Sequence, residues 1–185
     1  MKNESIREMK TIARVLAYAA ILLYFFSGYV LTSYRIEGNS MNPLLSQGER
    51  VLSDRLVYKS EPVKRGDVVV FRSPSEPRKE LIKRVIGLPG EILEIRSGTI
   101  YINREPFDEP HVPDAYRTTE DLESITIPLG HYFVAGDHRN VSSDSRVWAV
   151  TTGEWPFIPE RYIKGRIVFR IWPLNRISRI RSSSV

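Results

Sequence analysis

Glu91–Ile102 has the sequence EILEIRSGTIYI, and this stretch decides the fold class. Two short β-rich runs, Ile92–Arg96 and Thr99–Ile102, lie on either side of Ser97-Gly98. A serine–glycine pair between such runs predicts a tight hairpin turn, because glycine tolerates the positive φ that two-residue turns require. Asn103-Arg104 predicts a second turn directly after the hairpin. The stretch therefore predicts antiparallel strands.

Similar short runs recur along the chain, separated by glycine, proline, asparagine and aspartate. Few windows longer than ten residues keep a helical period, whereas turn signals recur at strand spacing. Pro106–Thr119, with three prolines, is predicted to be a long irregular insertion. The fold class predicted is mostly β, an antiparallel sheet or barrel-like domain. Its further predicted strands are Arg50–Leu52, Asp67–Phe71, Leu81–Ile86, His131–Ala135 and Arg166–Ile171.

Composition narrows the possible chemistry. The 185 residues allow one domain plus an appendage, and 42% hydrophobic with 26% charged residues indicates a globular protein. The chain has no cysteine, which excludes disulfides, thiolate catalysis and cysteine-based zinc sites. Its charge of +5 comes from basic residues scattered among acids, so nucleic acid is not a predicted partner. No cluster of acids resembles a metal site, and no metal or cofactor is predicted.

Residues 15–34 are predicted to be a transmembrane anchor. No residue from Val15 to Tyr34 is charged and most are apolar. Twenty helical residues span about 30 Å, the thickness of the hydrocarbon core. The segment 1–14 carries four basic residues, so the positive-inside rule predicts that it is cytoplasmic. The rest of the chain is then expected on the extracytoplasmic side of a cell membrane, or in a thylakoid lumen.

A cleaved secretory signal peptide is the alternative interpretation of this segment. Its apolar run is longer than the usual h-region of about 7–15 residues, and Ser27–Ser33 offers no clean Ala-x-Ala site, which favours an uncleaved anchor. Beyond the anchor we expect a β-rich domain at residues 35–174. Residues 175–185 are predicted to form a basic, frayed C-terminal tail.

Lys83 is the most informative polar residue in the predicted strands. Leu81, Lys83 and Val85 share one strand face, so aliphatic side chains flank the amine. Such surroundings desolvate a lysine and lower the pKa of its ammonium group, which makes it a usable base near neutral pH. A lysine that extends from an edge strand into water is an equally weighted alternative.

Ser40, in Gly38-Asn39-Ser40-Met41-Asn42-Pro43, is a weak signal alone, because this stretch also fits a surface turn. It is not a nucleophile elbow, and the chain contains no S-x-x-K. A hydroxyl becomes a nucleophile when a base removes its proton, and a neutral lysine serves in the Ser-Lys variant of serine hydrolases. His138, close to Asp144, is the rival base in a Ser-His-Asp arrangement, although nothing local distinguishes it.

Four segments carry a family resemblance: Ser40–Pro43, Gly66–Phe71, Lys83–Gly90 and Gly136–Arg146. They are similar to the serine box, the core strand box, the lysine box and the Gly-Asp-Asn-Arg … Ser-x-Asp-Ser-Arg box of the type I signal peptidases. That family comprises membrane-anchored Ser-Lys endopeptidases that cut signal peptides from exported preproteins. Each box alone is modest, but four in the family's order after an N-terminal anchor are highly specific.

The resemblance implies a role for each matching residue. Ser40 would be the nucleophile and Lys83 the general base. The Ser142 hydroxyl would orient the lysine amine, and Asp144 and Arg146 would hold that segment as an ion pair. The backbone N–H of Ser40 would donate to the tetrahedral oxyanion.

The resemblance also implies that Asp137 and Arg139 brace the same region. Substrate would lie as an extended strand, with small side chains at the −3 and −1 positions in shallow apolar pockets. Ile36, Val85 and Ile86 are the expected lining, by their proximity in sequence to the predicted dyad.

Three positions depart from the family pattern. Leu44 stands where threonine is usual, and His138 stands where asparagine is usual. Some members carry a serine two residues before the nucleophile, whose hydroxyl completes the oxyanion hole. Gly38 occupies that position here, so the second oxyanion donor is open.

The function predicted is that of a membrane-anchored serine endopeptidase with a peptidase domain at residues 35–174. It would need no cofactor, and its partners would be exported preproteins and the lipid bilayer. Two alternatives stay open: a related Ser-Lys processing peptidase with a dedicated substrate, and an inactive membrane-anchored β-domain that acts as a scaffold.

Overall fold

The computed structural model describes residues 8–19, 30–149 and 155–182 of the chain. Residues 8–19 are helical, and strands dominate from residue 31 onward. Among these residues, no helix has the length and apolar character needed to cross a membrane. Residues 20–29, the middle of the predicted anchor, lie outside the described part.

The described residues form twelve strands, which we number in chain order. They are β1 Leu31–Arg35, β2 Arg50–Asp54, β3 Val68–Arg72, β4 Glu80–Gly87, β5 Ile92–Arg96, β6 Thr99–Ile102, β7 Glu105–Pro106, β8 Leu122–Thr126, β9 His131–Ala135, β10 Ile158–Pro159, β11 Ile163–Trp172 and β12 Ser178–Arg179. Each predicted strand corresponds to one of them within a few residues at its ends. Short helical turns lie between strands at Val57–Lys59, Asp114–Tyr116, Arg139–Val141, Ser145–Val147, Glu160–Tyr162 and Leu174–Arg176.

Two antiparallel sheets make up the fold. The larger has the order β1-β2-β11-β3-β4-β9-β10, with β12 paired to β11, and the smaller has the order β7-β6-β5-β8. Strand β4 pairs with β3 on one side and β9 on the other, so it lies inside the larger sheet. The mostly β, antiparallel prediction is confirmed.

Both predicted turns are present. Ser97 and Gly98 have φ of 47° and 77° between β5 and β6, and Asn103 and Arg104 have φ of 52° and 74° between β6 and β7. Two consecutive positive φ values give the local twist that two-residue hairpins need. The β5–β6–β7 part of the smaller sheet therefore follows from local sequence, whereas β8 pairs with β5 across the insertion.

Burial follows the strand pattern. In β5, Leu93 and Ile95 are buried while their neighbours are more exposed, as expected where one face meets the core. Strand β3 buries Val68–Phe71 on both faces, because apolar clusters cover both sides of the larger sheet. One of these clusters contains Ile36, Met41, Leu45, Val51, Val68, Val70, Ile167 and Ile180.

Two predicted boundaries need correction. The last residues of the predicted anchor, 31–34, belong to β1, which pairs with β2 from Leu31↔Asp54 to Arg35↔Arg50. The predicted frayed tail packs on the domain as far as residue 182. There, β12 pairs with β11, and Ile180 is buried with the cluster around Val51. The buried side chain of Ile180, which lies between Arg179 and Arg181, helps to hold this segment against the domain.

Candidate active site

Lys83 lies on a central strand, which explains its burial. It faces Val69 across the β3–β4 ladder, and Leu81 and Val85 beside it belong to the same apolar cluster as Val69. The residue is only 4% exposed. Burial lowers the pKa of the Lys83 ammonium to about 8, although the negative charge of Asp144 partly opposes the shift. The neutral amine is therefore populated near physiological pH.

Ser40 lies in a turn between β1 and β2. The turn is closed by hydrogen bonds from Asn42 N to Asn39 O and from Leu45 N to Met41 O. Met41 and Leu45 are almost fully buried, so they fix the turn to the core. The Lys83 amine donates to Ser40 Oγ at 2.8 Å. The structure thus brings together the two residues of the predicted dyad, which are 43 positions apart.

Gly136, directly after β9, packs against the nucleophile turn. A Cβ atom at this position would collide with the Ser40 carbonyl oxygen and with Ser142 Oγ, so only glycine fits. His138 N donates to the Ser40 carbonyl at 3.1 Å. The end of β9 is therefore held directly against the backbone of the serine.

Ser142 lies in this region without the contact expected of it. Its side chain abuts Gly136 and is buried, but its Oγ has no hydrogen-bond partner among the described residues. The hydrogen bond to Lys83 that the resemblance implies is not formed in the structure. A buried hydroxyl without a protein partner is uncommon, because leaving it unpaired costs free energy.

Asp144 and Arg146 form the expected ion pair. Arg146 donates to both carboxylate oxygens of Asp144 at 2.9 Å, and Gly136 N donates to the same carboxylate at 2.9 Å. Both side chains are at most 2% exposed. The pair therefore also fixes the glycine that touches Ser40.

Asp137 and Arg139 do not pair with each other. Asp137 accepts two hydrogen bonds of 2.7 Å from Arg84, and Arg139 donates to the carboxylate of Glu109. Sequence analysis missed Arg84 and Glu109 as partners. Arg84 had a usable signal, because an arginine inside a buried strand requires a carboxylate. Glu109, in the proline-containing insertion, had none.

His138 is not the base in this structure. Its Nδ1 lies 3.3 Å from the Asn39 carbonyl, and its ring stacks on Tyr116 with centroids 3.8 Å apart. Within the described part of the chain, the one hydrogen-bond partner of Ser40 Oγ is Lys83. The geometry favours lysine over histidine as the group that activates the serine.

A groove of about 150 Å³ lies beside the dyad. Ile36 lines it, as expected, but Val85 and Ile86 do not. Both of these residues are fully buried in separate core clusters, so their prediction as lining was wrong. Residues that follow Lys83 along β4 are not accessible from the groove, because the strand runs into the core beyond Lys83. The lining is Tyr34, Arg35, Ile36, Glu37, Ser40, Met41, Val70, Glu80, Leu81, Ile82 and Lys83.

The backbone N–H of Ser40 donates to no group in the described part of the chain. It is thus free for an oxyanion. Gly38 has φ of 80° and supplies no side-chain donor, so the second donor stays unassigned. Among the described residues there is no group of histidine and acidic side chains that could hold a metal ion.

A serine hydroxyl in contact with a buried lysine amine is the arrangement of the Ser-Lys class of hydrolases. The family model described as "Signal peptidase, peptidase S26" matches residues 9–172, and the chain belongs to this family. The prediction of a type I signal peptidase is thereby confirmed.

Two relatives that are at least 34% identical agree with this assignment. Signal peptidase IB of Staphylococcus aureus (strain Mu50) is 36% identical over 176 residues, covering 86% of this chain and 87% of the relative. Probable signal peptidase I-1 of Synechocystis sp. is 34% identical over 180 residues, covering 92% and 85%. A crystal structure of a signal peptidase I from Enterococcus faecalis V583 is 32% identical and covers 57% of this chain and 97% of that chain, with a TM-score of 0.47.

Proposed function

We propose that this chain is a membrane-anchored serine endopeptidase that removes signal peptides from exported preproteins. Ser40 is the nucleophile and Lys83 is the general base. The observation that carries the proposal is the 2.8 Å contact between the buried Lys83 amine and Ser40 Oγ. The names of the relatives support the substrate class.

In the proposed reaction, the neutral Lys83 amine takes the proton of Ser40 Oγ as this oxygen attacks the scissile carbonyl carbon. The Ser40 N–H donates to the oxygen that becomes negative. The tetrahedral intermediate collapses, the C–N bond breaks, and the lysine ammonium gives its proton to the leaving amine. Lys83 then deprotonates a water molecule, which hydrolyses the acyl ester and regenerates the serine.

The groove suits an extended peptide with small side chains. Its volume is about 150 Å³, and Ile36, Met41 and Leu81 give it apolar walls. A substrate strand that lies here would place its −3 and −1 side chains against these walls, since alternate side chains of a strand point the same way.

The proposed anchor is the apolar segment that begins at Val15 and ends before β1 at Leu31. Its N-terminal side would be cytoplasmic, and the catalytic domain would lie on the extracytoplasmic or lumenal side. Holding the dyad at the membrane raises the effective concentration of membrane-bound preproteins. Ser142, Asp144 and Arg146 support the dyad in this proposal, with Ser142 turning to the lysine amine when substrate is bound.

Cleavage of a model preprotein by the detergent-solubilised chain tests the proposal. We expect Ser40→Ala to abolish cleavage, and Lys83→Met, which keeps a side chain of similar length, to lower kcat by about 10²–10⁴-fold. His138→Ala serves as the comparison and should lower kcat by less than about tenfold. Loss of cleavage in His138→Ala together with its persistence in Lys83→Met would overturn the dyad. Failure of the wild-type chain to cut any preprotein would favour a scaffold.

A further inference from the structure

The insertion between β7 and β8 runs along the segment that follows β9. Several contacts join the two, including ion pairs, a hydrogen bond to a backbone carbonyl and a ring stack. Among them are Glu109 with Arg139, the Ala115 carbonyl with Asn140, Tyr116 with His138, and Glu120 with Arg146. The insertion is therefore attached to the residues beside Ser40 along most of its length.

Glu109 makes the most deeply buried of these contacts. Its side chain is 1% exposed and that of Arg139 is 4% exposed. The two carboxylate oxygens accept from the two terminal nitrogens of Arg139, a bidentate geometry that fixes the guanidinium plane. Burying an ion pair gives little net stability compared with apolar residues of similar volume. The pair therefore calls for an explanation other than stability.

The guanidinium that Glu109 fixes has a third contact. Arg139 Nε donates to the Gly136 carbonyl at 2.9 Å. The N–H of Gly136 is held by Asp144 at 2.9 Å, so both polar groups of this residue are bound to side chains. A Cβ atom on Gly136 would collide with the Ser40 carbonyl oxygen and with Ser142, so the glycine packs closely against both. A shift of the Gly136 carbonyl would move the surface against which the nucleophile turn rests.

We propose that Glu109 is a positioning residue for Ser40. It orients Arg139, which holds Gly136, and Gly136 sets the position of the Ser40 backbone relative to Lys83. The inference rests on the proposed function and adds to it a residue outside the four family segments. A displacement of about 1 Å at a reacting group can cost on the order of a hundredfold in rate, so the effect should be large.

The test uses the full chain in detergent and three variants. Glu109→Gln keeps the side-chain shape but leaves the Arg139 charge without its partner. The double variant Glu109→Gln with Arg139→Gln removes both charges, which relieves the buried unpaired charge without restoring the bond to Gly136. Glu105→Gln, at an exposed acid in β7 directly before the insertion, is the matched control. Each variant is assayed for kcat, KM and the temperature of unfolding.

We expect Glu109→Gln to lower kcat by roughly 10–100-fold with KM changed by less than about threefold, and to lower the unfolding temperature. The double variant should regain unfolding temperature while its kcat stays low. Glu105→Gln should match the wild type in all three quantities.

Two results would overturn the inference. One is a Glu109→Gln variant whose kcat matches the wild type. The other is a double variant that regains kcat together with its unfolding temperature, because a purely structural role predicts that outcome. Ser40→Ala is measured in parallel. If it still cleaves, the proposed function fails; if it is inactive while Glu109→Gln is fully active, only the positioning role fails.

Discussion

The smaller sheet and the segment 136–146 bury opposite kinds of side chain. The sheet packs Leu93, Ile95, Ile100 and Ile102 into an apolar cluster and leaves its charged residues near water. The segment buries four charged side chains, each at most 5% exposed: Asp137, Arg139, Asp144 and Arg146. Apolar burial stabilises a fold directly, whereas buried charges must first recover their cost of desolvation. The sheet therefore serves stability, and the segment serves the placement of the dyad.

The largest expected effect distinguishes a loss of stability alone from a loss of stability together with a loss of kcat. Asp137→Asn removes the carboxylate charge that accepts two hydrogen bonds from buried Arg84, which should lower the free energy of unfolding by about 3–5 kcal/mol. It should also lower kcat, because Arg84 is the neighbour of Lys83 on β4. Ile100→Ala, at a position 1% exposed, should cost a similar amount, about 2–5 kcal/mol, through loss of packing.

The two variants should differ in activity per folded molecule. Denaturant unfolding gives the folded fraction, and kcat is then compared at conditions where both variants are folded. We expect Ile100→Ala to retain the wild-type kcat. Equal losses of kcat in both variants would contradict the division between the two regions.

The next effect concerns pH and the buried amine. Because the pKa of Lys83 is about 8 in the folded protein and 10.5 in its unperturbed state, the unfolded chain binds more protons between these pH values. Stability should therefore rise with pH across this window, by on the order of 3 kcal/mol. Lys83→Met should lose this rise.

The same titration predicts the pH profile of cleavage. In the proposed mechanism the neutral Lys83 amine is the base, so kcat/KM should increase with pH and level off above about 8. Stability is measured by denaturant unfolding at several pH values, and kcat/KM on one model preprotein over the same range. A kcat/KM that is flat from pH 6 to 9 would exclude Lys83 as the titrating base.

The smallest effect lies where the smaller sheet meets the insertion between β7 and β8. Gly98, in the β5–β6 turn, would direct a Cβ atom into the Thr118 carbonyl, whereas Gly130 has open space around it. Both have positive φ, so alanine at Gly130 should cost about 1–2 kcal/mol, and alanine at Gly98 should cost more. Thermal unfolding of both variants measures this order. If Gly98→Ala were as stable as Gly130→Ala, the expected order would be wrong, because the backbone at Thr118 would then shift at little cost in free energy.

The contrast between the smaller sheet and the segment 136–146 also explains which features the sequence could predict. The strands and both turns were predictable because their signals are local: β-rich runs, turn residues and a glycine at positive φ. The Ser40–Lys83 pair was predictable because four segments fit one family. The partners of the buried charges were not, since Arg84 and Asp137 are 53 residues apart and Arg139 and Glu109 are 30 apart.

The burial of individual residues near the site was also not predictable from the sequence. Val85 and Ile86 follow Lys83 closely in sequence but lie in the core, while Ile82, directly before Lys83, and Tyr34, far from it in sequence, line the groove. The position of a residue along a strand gives its face, but the layers above and below that strand give its exposure. The same reasoning applies to Ile180, which only the completed sheet could bury.

Strand β1 has a consequence for where a preprotein can be cut. It occupies five of the nine residues between Val30 and Ser40, and its pairing with β2 makes this part stiff. A strand of that length is about 17 Å long, and the whole connection cannot exceed roughly 35 Å. In the proposed anchored enzyme, β1 would limit how far the nucleophile can lie from the end of the anchor. A cleavage site would be chosen by its height above the bilayer as well as by its side chains.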